Sequence, residues 1–185
     1  MLFTPRAILV SLLLSVSLTD VHADEKPLPD ATAAPGQTKW VTTLLPQAIA
    51  APGGLAVILH AEGAQIYDCK AGADGKLAWA FREPIATLLD DGKTAGRHYA
   101  GPNWELTDGS AVTGKAAGSA PGATSADIPL LKLDVVAQRG TGTLTGVTTV
   151  QRINTHGGKL EGPCEAAGTY RSAPYSADYV FLRKS

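Results

Sequence analysis

The chain has 185 residues, 16 of them Lys or Arg and 17 Asp or Glu, for a formal charge of −1. That length suits one domain with a real core. The near-neutral balance, with no basic run, offers no electrostatic footprint for nucleic acid or an anionic membrane surface.

Residues 1–23 read as an export signal. Arg6 supplies the positive start, residues 7–18 are apolar apart from serines, and Val21-His22-Ala23 fits a small-x-small cleavage site, so cleavage is expected after Ala23. The apolar run is too short for a membrane-spanning helix, which needs about 20 residues, and no later segment approaches that length. Asp24 stands where a lipid-modified protein would carry Cys. A buried N-terminal helix is the competing reading. Export implies a periplasmic or extracellular protein.

Residues 24–38 are rich in Ala, Pro and charge without periodicity, and read as a flexible leader. A single β domain is expected over residues 39–185, beginning near Lys39-Trp40. Pro46, Pro52 and the Gly53-Gly54 pair break any long helix. Residues 55–60 form one β-rich run and residues 64–69 a second, which alternates apolar with polar. A turn over residues 73–76 leads to Leu77, Trp79 and Phe81 on one face of a strand. Residues 84–89 fit either a strand or a short helical turn.

The most specific stretch is residues 96–114. His98 and Tyr99 precede a Gly101-Pro102 turn, Trp104 follows, and Asp108-Gly109-Ser110 divides two short apolar-alternating runs, a strong hairpin signal. Residues 116–126, small and polar, read as a surface loop. A strand resumes over residues 128–138 with Leu131, Leu133 and Val135 on one side, and residues 140–143 make a turn. Residues 147–153 are a β-branched run ended by His156-Gly157-Gly158. Residues 177–182 close the chain with Tyr179 and Phe181 on one face. Many short strands with Gly, Asp and Pro turns predict an all-β, single-domain antiparallel sandwich or barrel.

Cys69 and Cys164 are the only cysteines. In an exported chain an even pair predicts a disulfide. Closing a loop of about 100 residues contributes about 4 to 5 kcal/mol in the chain-entropy model. No Cys-x-x-Cys spacing supports a redox or metal role.

Three histidines follow the signal: His60, His98 and His156. His98 and His156 with Asp108 or Glu105 are the possible convergent set for a catalytic metal, but no histidine pair has ligand spacing on a strand or helix, so no metal is expected. No catalytic residue is assigned; His98, beside two aromatics and a turn, is the candidate. Ser110 lacks the strand-to-helix elbow of a serine nucleophile. The glycines of residues 140–146 are mis-spaced for a dinucleotide site, and Asp90-Asp91 reads as a solvated turn. Trp79, Phe81, Tyr99, Trp104, Tyr175, Tyr179 and Phe181 fit core packing, or in part a ligand face with Arg97, His98, Tyr99, Asn103 and Trp104 as its contacts.

The order Tyr67-x-Cys69, Trp79, Pro84, His98-Tyr99-x-Gly101-Pro102-x-Trp104, Asp108-Gly109-Ser110, Ile128-Pro129, Gln151-Arg152, Thr155-x-Gly157-Gly158, Cys164 and Tyr175-x-x-x-Tyr179-x-Phe181 resembles the domain of unknown function 3455 family. The resemblance spans roughly residues 54–184. It implies export and one compact domain, and brings no activity. Two functions follow from the residues. One is an exported, non-catalytic binding or interaction module for a glycan, a small molecule or an envelope protein; the other is a secreted enzyme, metal-assisted or otherwise, centred on His98.

Overall fold

The computed structural model describes residues 45–185; the expected signal, leader and domain start near Lys39-Trp40 lie outside them. A single-turn 3-10 helix, Gln47–Ile49, precedes eight strands: β1 (Gly54–Ala71), β2 (Leu77–Asp90), β3 (Lys93–Tyr99), β4 (Asn103–Leu106), β5 (Ala111–Ala120), β6 (Leu130–Arg139), β7 (Val147–Gly157) and β8 (Tyr170–Arg183). Each pairs antiparallel with the next, and β8 returns to β1 to close a barrel. Of the two expected all-β architectures, the chain adopts the barrel. Closure removes the unpaired strand edges that a sandwich would have to protect.

Residues 55–60 and 64–69, expected as separate runs, are one 18-residue strand. Register shifts beside Leu55 and Ile66 let this long strand bend around the barrel without breaking. Residues 84–89 are strand, ending the ambiguity there. The expected loop over residues 116–126 is corrected in its first half, because β5 continues to Ala120. Its small residues have a tertiary cause. A Cβ added at Gly118 would stand 2.1 Å from the carbonyl oxygen of Ala48, so the segment around the 3-10 helix can lie on this strand only if that position is bare.

The core has two parts. The lumen holds Leu59, Ala61, Leu88, Trp104, Val112, Leu133, Val150, Tyr179 and Phe181. A smaller cluster lies outside the wall, where Ile49 and Ala51 cover Ala120, Ile153, Val180 and Leu182. Gln151 Nε2 donates to the Ile49 carbonyl at 2.6 Å and pins that covering segment.

The barrel ends differ. At one end the β4–β5 turn, with Gly109 at φ 86°, and the β6–β7 turn fold together. Asp108 accepts from Thr143 N at 2.7 Å, Ser110 Oγ accepts from Leu144 N at 3.2 Å, and Leu144 is buried as a plug. The other end carries the β1–β2, β3–β4, β5–β6 and β7–β8 connections. There Cys69 and Cys164 form the expected disulfide, with a Cα–Cα distance of 5.9 Å. The bond ties the β7–β8 connection to β1. No helix among the described residues is long and apolar enough to cross a membrane.

Candidate functional site

The β3–β4 hairpin sorts its residues by strand alternation. His98 faces Trp104 across the pair and both point into the lumen, whereas Arg97 faces Glu105 on the outer wall. The five residues expected as one ligand face therefore divide. Outside, Glu105 Oε2 accepts from Tyr99 at 2.8 Å, Arg97 at 3.1 Å and Arg139 at 2.7 Å, and the Arg97 guanidinium lies 4.8 Å from the Tyr99 ring centroid. The Tyr99 hydroxyl first, then Arg97, hold the Glu105 carboxyl below its usual range. Asn103 belongs to the turn: its side-chain amide donates to the Ala100 carbonyl and accepts from the Thr113 hydroxyl.

Inside, the His98 and Trp104 rings stack, 4.6 Å between centroids and 12° between planes, and Tyr179 packs against both at 4.9 and 5.3 Å. His98 is 2% exposed. Its Nδ1 donates to the Asn103 carbonyl at 2.8 Å, which leaves the Nε2 lone pair free in the neutral tautomer. Burial, with Arg152's charge adding to it, lowers the His98 pKa to about 4 despite that hydrogen bond. The ring is neutral at pH 7. It can accept a hydrogen bond there, but it is poorly matched to general-base work at neutral pH, which favours a pKa close to the working pH.

Above this stack the lumen opens into a cavity of about 270 Å³. Its floor and sides include His98, Trp104, Tyr179 and Leu133, and its rim Phe81, Pro84, Ala100 and Pro102. Gln65, Phe81, Leu131 and Arg152 also line a second opening, beneath Lys159, Leu160 and Glu161 of the β7–β8 connection. Eight-stranded barrels have room for packed side chains or for one small ligand. This barrel does both: the closed end is filled and the opposite end is hollow.

Three polar groups stand out in the hollow half. Gln65 is 2% exposed, yet its Nε2 has no hydrogen-bond partner among the described residues. Trp104, 1% exposed, has an Nε1 that is likewise without a partner among the described residues. Arg152, 9% exposed, donates from Nε and Nη2 to the Pro129 carbonyl at 3.0 and 2.8 Å. None of the ion pairs among the described residues includes it. Beside it, Tyr179 has its phenol pKa raised by burial, an effect the guanidinium partly offsets. Tyr175 is raised by burial in the same way.

The other candidates lie apart. His60 Nδ1 meets Asp178 Oδ1 at 2.8 Å on β1 and β8, away from the cavity lining. His156 is exposed on β7, Glu105 is on the outer wall, and Asp108 is in the turns at the closed end. The metal set considered from sequence is thus dispersed, and no three His, Cys, Asp or Glu side chains among the described residues cluster as ligands would. Ser110 Oγ donates to Asp108 Oδ1 at 2.6 Å as part of a turn.

Sequence reasoning missed Gln65 and Arg152, whereas Tyr179, expected as a core or ligand-face aromatic, is buried in the core and lines the cavity. A signal was present: Arg152 interrupts the β-branched run of β7, and such a charge must either sit out of phase with the core or point into it. Its cross-strand partner is Tyr179, a core residue, which puts the cation inside.

No curated protein and no solved structure matches the chain. One family model does, described as "Protein of unknown function (DUF3455)", over residues 50–183. That match runs from the segment beside the 3-10 helix to the end of β8, so the chain belongs to the domain of unknown function 3455 family.

Proposed function

We propose that this protein is an exported, non-catalytic binding protein that holds a small, largely apolar molecule in the open half of its barrel. One observation carries the reading: a cavity of about 270 Å³ in the lumen with aromatic and aliphatic walls and a few buried polar groups. Ligand sites are typically concave and mostly apolar, with a few orienting polar atoms, and barrel mouths are a common place for them. An apolar cavity of about 150 Å³ is enough for benzene, so this one takes a larger ring. The depressed basicity of His98 favours binding over acid-base chemistry. Export to the periplasm or beyond rests on the N-terminal sequence. The disulfide and the absence of a spanning helix among the described residues fit it.

The test is calorimetric titration with 2-naphthol, an uncharged bicyclic probe. The expected result is saturable binding at one site per chain, lost in Leu131→Trp, which fills the lumen from β6, with the melting temperature of that variant measured alongside. Binding that survives the plug, or no binding to the wild type, refutes a lumenal site.

A further inference from the structure

Among the described residues the cavity holds an unpaired buried cation. Arg152 and Arg82 line it, no Asp or Glu does, and Arg82 is already engaged with Glu83 at 2.8 Å at the exposed rim. Arg152 differs from Arg82 in depth and in company, since the partners beside it among the described residues are neutral, the Pro129 carbonyl and the Tyr179 phenol. A buried guanidinium without an anion is costly, because a neutral carbonyl does not replace the hydration of a full charge. Gln65 Nε2 and Trp104 Nε1 are buried donors on the same cavity without a hydrogen-bond acceptor in reach among the described residues. Native proteins rarely bury unpaired donors, and two of them beside a buried cation without an anion describe what is missing: an acceptor carrying negative charge.

We propose that the open half of the lumen binds a small ring-bearing carboxylate. Arg152 is the partner of its anionic group, Gln65 Nε2 and Trp104 Nε1 supply further donors, and its ring lies against Phe81, Pro84 and Leu131. The carboxylate is chosen over a larger oxyanion by space and polarity. A planar two-oxygen acceptor matches a guanidinium edge, and the aliphatic and aromatic walls favour an apolar body over a multiply charged head. This inference rests on the lumenal binding site proposed above and adds the charge of what fills it.

The experiment compares two probes of nearly equal shape, 2-naphthoate and uncharged 2-naphthol, by calorimetry at pH 7 on the full chain. The wild type is expected to bind naphthoate at least tenfold more tightly than naphthol. Arg152→Gln should abolish that preference, with naphthoate affinity falling at least tenfold. Arg152→Lys, which keeps the charge without the fork, should retain part of it, and Gln65→Leu should weaken naphthoate binding. Equal affinity of the wild type for both probes overturns the assignment and leaves the lumenal site standing. So does a loss of both probes in equal measure in a folded Arg152→Gln. Should that variant not fold, the wild-type ratio decides by itself. Failure of both probes on the wild type overturns the lumenal site and this inference together.

Discussion

At the scale of single residues, His98 is where the fold and the solvent compete most directly for a proton. The folded chain holds its pKa at about 4 against an ordinary 6.5, chiefly through burial. On acidification the unfolded chain takes up a proton below 6.5, and the folded chain refuses it until about 4. This contribution to stability is complete above pH 6.5 and is lost as pH falls through that window. By pH 4.5 the loss should reach about 2 to 3 kcal/mol, since a tenfold change in a protonation equilibrium is worth about 1.4 kcal/mol. Urea unfolding at pH 7 and 4.5 measures it: His98→Gln should show a clearly flatter dependence than the wild type. Parallel profiles would mean that the ring is protonated in the folded state, or that another group carries the acid sensitivity. The sequence marked His98 by its neighbours and left its environment open. Tyr99 and Arg97, adjacent in the chain, turned out to be on the other side of the wall. Only the pairing register separates a lumen residue from a surface residue, and a one-residue slip exchanges the two faces.

At the scale of elements, the segment around the 3-10 helix acts as a strap across β5, β7 and β8. Ile49 is fully buried against Ala120, Ile153, Val180 and Leu182, and Gln151 anchors the adjoining backbone. Ile49→Ala should therefore cost about 2 to 5 kcal/mol, the usual range for removing a large buried aliphatic side chain, although the residue lies outside the barrel proper. Urea denaturation gives the number. A change below about 0.5 kcal/mol would show that the strap is dispensable. The strap also explains what was illegible in residues 116–120. Ala116-Ala117-Gly118-Ser119-Ala120 has the composition of a loop, yet its smallness is what lets another segment pack over a strand. The turns were legible for the opposite reason: Gly109 meets a demand local to four residues.

At the scale of the whole molecule, strand count and turn chemistry indicated an all-β domain, but not whether the sheet closes. Closure depends on β1 pairing with β8, residues more than a hundred apart in sequence, and no local pattern encodes that contact. The cysteines were the one long-range constraint visible in the sequence, and they act at the hollow end. Their bond holds down a connection that also donates from Cys164 N to Leu77 O at 3.2 Å, accepts from Trp79 N at the Gly162 carbonyl at 3.1 Å, and donates from Gly168 N to Cys69 O at 2.9 Å. The same connection supplies Lys159, Leu160 and Glu161 to the second opening of the lumen. Replacing both cysteines with Ala should lower stability by about 2 to 5 kcal/mol and release the connection before the barrel. Hydrogen exchange would separate the two effects. Amides of Trp79, Cys164 and Gly168 should lose protection at pH 7, while those of β5 and β6, which make no backbone hydrogen bond to the β7–β8 connection among the described residues, keep theirs apart from the global shift. Uniform loss across every strand would instead make the disulfide a staple of the barrel as a whole, and the hollow end would then be held open by strand packing alone.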